Sequence, residues 1–338
     1  MRCIGTAAVI AALMLPFATN KAASQEPFYA GKTITITVGF GAGGSYDLYS
    51  RLLARHLGKH LPGKPNVVVV NRPGAGGMLA FNQAGRVGAK DGTLLTTVSQ
   101  GLLLQELVGI PGLQLSLAEG SWIGNFSQSN NVTATWHTSS VKSIEDAKKR
   151  EVTLASSGAG STSSQMATVY NSLLGTKFKA IMGYDGAAQA NLAMERGETE
   201  GRATNTWASY RAAFTNPRSQ LNILLQIGLR KENDLPDVPL LTDLVKSDAH
   251  KHGVALLISQ SLALARTVMA PPGVPEERVE LLRRAFDAAM IDPELVSEAN
   301  KSSLELDPMN GREVELIIRQ ALNTPKELKD AVGLALRP

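Results

Sequence analysis

Two hydrophobic periods alternate along this chain. Residues 32–38 (KTITITV) carry an apolar side chain at every second position, the pattern of a half-buried strand. A glycine-rich turn over 39–45 follows. Tyr49, Leu52, Leu53 and Leu57 then fall on one face of a helix that starts near Asp47. Residues 66–70 (NVVVV) form an unbroken apolar run, which predicts a strand buried on both faces. Asn71-Arg72-Pro73-Gly74 turns the chain into a helix around 78–87, and 93–98 predicts a third strand. Strand and helix alternate, so the class is α/β with a largely parallel sheet.

A looser stretch over 101–131 separates this series from a second one. Residues 152–155 read as a strand and 156–161 as a turn of small residues. Thr162-x-x-Gln165 has the form of a capping box for a helix running to Leu174. Strands are predicted at 179–182, 221–227 and 263–269, with a helix over 187–196. Pro275 opens an amphipathic helix whose apolar face carries Val279, Leu282, Phe286 and Met290. Thr324-Pro325-Lys326-Glu327 combines a capping box with proline at the first helical position. The two series, with no low-complexity tether between them, predict two α/β lobes with a cleft between them.

Ahead of the first strand stands a signal of another kind. Arg2 precedes an apolar run over 4–18, and Ala22-Ala23-Ser24 supplies small residues for cleavage, so residues 1–24 read as a secretory signal peptide. Pro16 and Thr19-Asn20-Lys21 end the run short of the roughly 20 residues that span a membrane. The expectation is a soluble, exported protein of the periplasm. The single Cys3 lies in this leader, leaving the remaining chain without a disulfide, a thiolate ligand or a cysteine nucleophile. At 43% hydrophobic and 19% charged residues the chain is globular rather than disordered. Aromatics at 5% and a net charge of only +4 argue against a nucleic-acid surface.

Gly39-Phe40-Gly41-Ala42-Gly43-Gly44 satisfies G-x-G-x-x-G between a strand and a helix. The next strand, however, ends in Asn71-Arg72 and not in the acidic residue that would hold a ribose hydroxyl. A glycine loop at a helix N-terminus favours any anion, a carboxylate included. Ser156-Ser157-Gly158-Ala159-Gly160-Ser161-Thr162 is a second such place, although a plain helix start also explains it. One glycine-rich helix start per lobe would grip one anionic group from both sides. Catalytic templates are missing: there is no G-x-S-x-G elbow and no G-x-x-x-x-G-K-[ST] loop. His56 and His60 stand at i, i+4 on what reads as a surface helix, without a third ligand for zinc.

Four stretches carry a family resemblance: ITITVGFGAGGSYDLYSRLLARHL; VVVVNRPGAGGMLAFNQAGRVGAKDGTLL; SSGAGSTSSQM followed by GYDGAAQANLAMERGETEGR; and LPDVPLLTDL with VMAPPGVPEERVELLRRAF. The chain resembles the receptors of the tripartite tricarboxylate transporter family, the Bug-type extracytoplasmic solute receptors. The resemblance implies a type II periplasmic-binding fold, with residues 25–120 plus 229–338 as one lobe and 121–228 as the other. It implies a receptor and not an enzyme, with no cofactor, no metal and no nucleic-acid partner. Its partners would be a small organic carboxylate and transporter membrane subunits, and the receptor itself a monomer.

In such receptors the two loops bind a ligand carboxylate, partly through water. Carried over, this implies Gly41, Ala42, Gly43, Gly44, Ser45 and Asp47 in the first lobe. In the second it implies Ser157, Gly158, Gly160, Ser161 and Thr162, with Tyr184, Gly186 and Asn205 lining the cleft. The chain departs from the family at Gly41, where a proline is frequent, and in residues 99–114 and 201–207, which face the far end of the ligand. The competing expectations are a secreted enzyme on a Rossmann-like fold and a ligand-sensing protein.

Overall fold

The structure is a computed structural model and describes residues 26–336 apart from Ile110, Ser129, Ala159, Gly160 and Ala265. The expected signal peptide lies outside the described residues. The chain opens with β1 (Thr33–Val38), α1 (Ser45–Leu57), β2 (Asn66–Asn71), α2 (Met78–Val87), β3 (Leu94–Val98), α3 (Gln100–Leu107) and β4 (Ser121–Asn125). A middle series follows: β5 (Asn131–Trp136), α4 (Ile144–Ala147), β6 (Val152–Ala155), α5 (Thr162–Leu174), β7 (Phe178–Ile181), α6 (Ala187–Glu195) and β8 (Gly201–Thr206). It ends with α7 (Trp207–Ala213), α8 (Pro217–Gln220) and β9 (Leu221–Ile227). The last part contains α9 (Leu241–Leu244), α10 (Ala249–Leu262), β10 (Thr267–Ala270), α11 (Glu276–Met290), α12 (Pro293–Lys301), β11 (Met309–Asn310), α13 (Gly311–Leu322) and α14 (Lys326–Ala335).

These strands form two sheets, ordered β11-β4-β10-β3-β1-β2 and β7-β6-β8-β5-β9. Within the first, β1 is parallel to β2 and β3, while β10 runs antiparallel to β3 and β4. Within the second, β6 is parallel to β7 and β8, while β5 runs antiparallel to β8 and β9. The reversed strands have a common origin. β5 is the first strand after the chain crosses into the second sheet, and β10 the first after it returns. Each crossing therefore inserts one reversed strand between parallel ones, and in the first sheet the short edge strand β11, antiparallel to β4, is reversed as well.

The alternation in β1 buries Ile34, Ile36 and Val38 completely, and they meet Leu52 and Leu53 of α1, Val268 of β10 and Leu282 and Phe286 of α11 in one core or beside it. A second core joins Leu154 of β6 and Met166 and Tyr170 of α5 to Leu104 of α3, Ile258 of α10 and Val332 of α14. Helices α3, α10 and α14 thus pack on the helical layer of the second sheet, although the strands flanking α3, the strand after α10 and the strand before α14 belong to the first.

Several expectations need correction. The NVVVV run is an edge strand and is not buried on both faces: β2 pairs only with β1, and Val68 is 42% exposed. Residues 101–131 are not loose, since they hold α3 and β4. The expected strand at 263–269 starts only at Thr267, because α10 occupies the chain up to Leu262. Neither capping box forms. Ser161 and Pro325 take the cap positions of α5 and α14 without a side-chain cap bond, and Gln165 Nε2 donates instead to Gly101 O at 3.0 Å. His56 is buried and not on a surface. Its Nε2 lies 2.8 Å from Glu298 Oε2, and His60 Nε2 lies 2.8 Å from Asp292 Oδ2. With Lys59 paired to Asp292 and Glu294, these groups tie the end of α1 to α12.

Candidate ligand site between the two sheets

The first glycine loop is held by the segment that follows β2. A Cβ on Gly39 would lie 2.6 Å from Gly77 Cα, so the two glycine stretches meet backbone to backbone. Gly43 sits at φ +79°, a left-handed conformation that glycine adopts freely. Asp47, two residues into α1, reaches back over the loop. Its Oδ2 accepts from Gly43 N at 2.9 Å, and its Oδ1 accepts from Asn71 Nδ2 at 2.9 Å. Asn71 Nδ2 also donates to Phe40 O at 3.0 Å, and Arg51 binds both Asp47 and Asn71. Burial works to raise the Asp47 pKa, but the hydrogen bonds from Arg51, Gly43 and Asn71 outweigh it and hold the carboxyl below its ordinary value. Asp47 is therefore a fixed anion turned away from the cavity, and its work is to shape the loop.

Four helix N-termini converge on the space in front of that loop. They belong to α1, α3, α5 and α6, with Gly44, Ser99, Ser161 and Gly186 at the cap positions, and in none does the cap residue's side chain bond the first turn. Ser161 has a hydroxyl but spends it elsewhere. It donates to Gly158 O at 2.7 Å and joins a cluster with Ser156 and Ser163. Each such N-terminus carries about half a positive charge, and those of α1, α5 and α6 leave first-turn N–H groups without a side-chain acceptor. The cavity that they border is lined by Gly44, Ser45 and Tyr46 of α1, Ser99 and Gln100 of α3, Thr162 and Ser163 of α5, and Ala187 of α6. Tyr46 stacks on Phe40, with ring centroids 4.6 Å apart, and its hydroxyl accepts from Gln100 N at 3.3 Å. Burial pushes the Tyr46 pKa up, so the hydroxyl stays protonated.

The residues expected at the site fall into groups. Gly44, Ser45, Ser157, Ser161, Thr162 and Asn205 line the cavity. Gly41 and Gly186 do not line it but meet each other at its rim, where Gly41 N donates to Asp185 O at 2.8 Å. Ala42 and Gly43 are exposed on the outside of the loop, and Asp47 lies beneath it. Gly158 packs on Gly76, Tyr184 is half-buried outside the lining, and Gly160 is not among the described residues. The cavity also takes in Phe40, Tyr46, Asn131, Ser163 and Ala187, which the sequence reading missed, and Ser99, Gln100, Arg202, Thr204 and Thr206, which it placed only within the stretches 99–114 and 201–207 facing the far end of the ligand and did not single out. One signal for part of this group was available: GRATNT is polar at four of six positions yet flanked by structured segments, and every residue of the resulting β8 is buried.

The two sheets are drawn together around this space. Besides the Gly41–Asp185 bond, Gln100 Nε2 donates to Asn131 Oδ1 at 2.9 Å, and Gln165 Nε2 reaches Gly101 O. The volume of the cavity is about 50 Å³. A water needs ~10–15 Å³, so the space between the sheets has room for a few waters.

A sequence profile of the receptors of the tripartite tricarboxylate transporter family matches residues 50–334. The chain belongs to that family. Among its relatives, the receptor is 26% identical over 339 residues to the "UPF0065 protein in gbd 5'region" of Cupriavidus necator, covering 98% of this chain and 96% of that one. Its fold matches the periplasmic binding protein BugD with a TM-score of 0.70 at 20% identity, covering 91% and 98% of the two chains. MatC of Rhodopseudomonas palustris with bound malate gives 0.69 at 16% identity, over 89% and 99%. Rpa4515 of R. palustris with adipate gives 0.70 at 17% identity, over 89% and 97%. The receptor therefore has the type II periplasmic-binding fold, two α/β lobes with the cleft between them. No described helix is long and apolar enough to cross a membrane.

Proposed function

We propose that this receptor captures a small organic acid by its carboxylate in the periplasm and delivers it, as a monomer, to tripartite transporter membrane subunits. The observation that carries the reading is the convergence of four helix N-termini, none bonded by its own cap residue's side chain, on one cavity. Such ends attract an anion with backbone N–H groups that need no reorganisation. Malate and adipate in the two R. palustris structures support the same ligand class.

Residues 25–120 with 229–338, and residues 121–228, act as the two lobes, and opening between them admits the ligand. Residues 1–24 direct export and are removed. Binding without turnover is the reading that the lining supports, its polar groups among the described residues being hydroxyls, amides and the Arg202 guanidinium. A dinucleotide finds no ribose partner, because Asn71 at the end of β2 is engaged by Asp47 and Arg51.

A thermal-shift series with malate and adipate against their diamides tests the reading. An acid at 100 times its Kd adds about 2.7 kcal/mol of stability, whereas the diamides leave the melting temperature unchanged. A shift with the diamides equal to that with the acids would count against carboxylate capture.

A further inference from the structure

We infer that Arg202 is a specificity-determining residue that receives a second anionic group of the ligand at the β8 wall of the cavity. The inference rests on the carboxylate-receptor reading, in which the first group sits at the helix N-termini. Arg202 is only 6% exposed and lines the cavity. Its Nη1 donates to Asn191 Oδ1 at 2.9 Å and makes a long contact of 3.5 Å with Ala187 O, while its Nε has no partner. Among the described residues no carboxylate lies within 4 Å of its guanidinium.

Its place on the cavity sets Arg202 apart from the other buried arginines among the described residues. Arg283 is as deeply buried, but it is met by Glu280 at 2.7 Å and Glu315 at 3.1 Å. Arg266 is buried without a carboxylate too and leaves its Nε and Nη1 without partners, but it lies 4.6 Å from the Tyr49 ring centre, its Nη2 donates to Thr206 and Ser209, and it does not line the cavity. A buried guanidinium stays charged, and leaving it unpaired is costly. Arg202 is thus a fixed cation facing the ligand space, with its counter-charge missing.

The strand is also shaped to aim it. Between the pairs Ala134–Arg202 and Val132–Asn205, β5 advances two residues while β8 advances three. This bulge brings Arg202 and Asn205, which a regular strand would turn to opposite faces, onto the same cavity. Asn205 Nδ2 is likewise buried without a partner. Two orphaned donors, one of them charged, call for a group that only accepts. A carboxylate fits, with two oxygens that match the fork of a guanidinium.

The test compares adipate and succinate with their half-amides, adipamate and succinamate, by calorimetry on the wild type, Arg202→Gln and Arg202→Lys. The wild type is expected to prefer one of the diacids over its half-amide by roughly 30-fold or more, as for a buried charge pair deprived of one partner. Arg202→Gln brings the two affinities within a few fold of each other, and Arg202→Lys, which keeps the charge without the fork, retains a reduced preference. Unliganded Arg202→Gln melts no lower than the wild type, since an unpaired buried charge has been removed. Equal losses for diacid and half-amide in Arg202→Gln, or a wild type that does not discriminate, would overturn the inference while leaving carboxylate capture standing. A wild type that binds neither compound would overturn both.

Discussion

Gly44→Val strongly weakens ligand binding while the unliganded protein folds as before. Gly44 caps α1 at φ −81° and ψ 167°, extended backbone that valine adopts readily, so the loop itself has no reason to break. The conflict arises across the cleft. A Cβ at this position would lie 3.4 Å from Ala187 N and 3.5 Å from Ala187 Cβ at the start of α6, and the valine methyls extend further into the cavity. They occupy the place where an anion would meet the N–H groups of α1 and hold α6 away as the lobes close. Overpacking of this kind costs about 1–3 kcal/mol, so affinity for the carboxylate falls by up to about 100-fold. Calorimetry with the best acid, and a melting curve without it, read the two effects separately. A folded Gly44→Val protein with wild-type affinity would mean that the ligand does not approach α1.

Thr162→Asp separates stability from binding by moving them in opposite directions. Thr162 is the first residue of α5 and lines the cavity, and the Ser161 hydroxyl is committed to Gly158 and its serine neighbours. A carboxylate placed there meets the free N–H groups and the positive end of the helix dipole, a stabilisation of about 0.3–1 kcal/mol. It also stands where the ligand's own carboxylate would bind and repels it at close range. The unliganded protein should melt at or above the wild-type temperature, and acid affinity should drop at least 100-fold, the scale of two like charges held a few ångström apart near a protein surface. Thr162→Asn, without the charge, should lose far less. Equal losses in the aspartate and asparagine variants would show that the α5 terminus shapes the wall and does not attract the anion.

How far the sequence speaks for the site follows from which residues create it. The loop before α1 was readable because its chemistry is local: glycines free the backbone, and Asp47 is near enough in sequence to hold Gly43. The start of α5 was readable for the same reason. Of the β8 wall only Asn205 was singled out, and the rest only as part of a stretch facing the far end of the ligand, since Arg202 and Thr204 in a polar run look like a surface segment. Their burial comes from the position of β8 between β6 and β5 in the middle of the second sheet, which only the topology supplies.

Helix α3 escaped for a different cause. Seven of its eight residues are buried, Glu106 excepted, so its apolar residues follow no single stripe. The apolar half of α10, from Val254 to Leu262, is similar. The NVVVV strand misled in the other direction, because an edge strand may carry valine on both faces when one of them is only partly covered.

A crystal structure of the receptor with the acid that raises its melting temperature most tests the central claim directly. The account predicts one carboxylate of that acid between the lobes, within hydrogen-bond reach of backbone N–H groups at the starts of both α1 and α5, directly or through one water. An acid bound with no oxygen near either helix start, or outside the cavity lined by Ser45, Thr162 and Asn205, would contradict it.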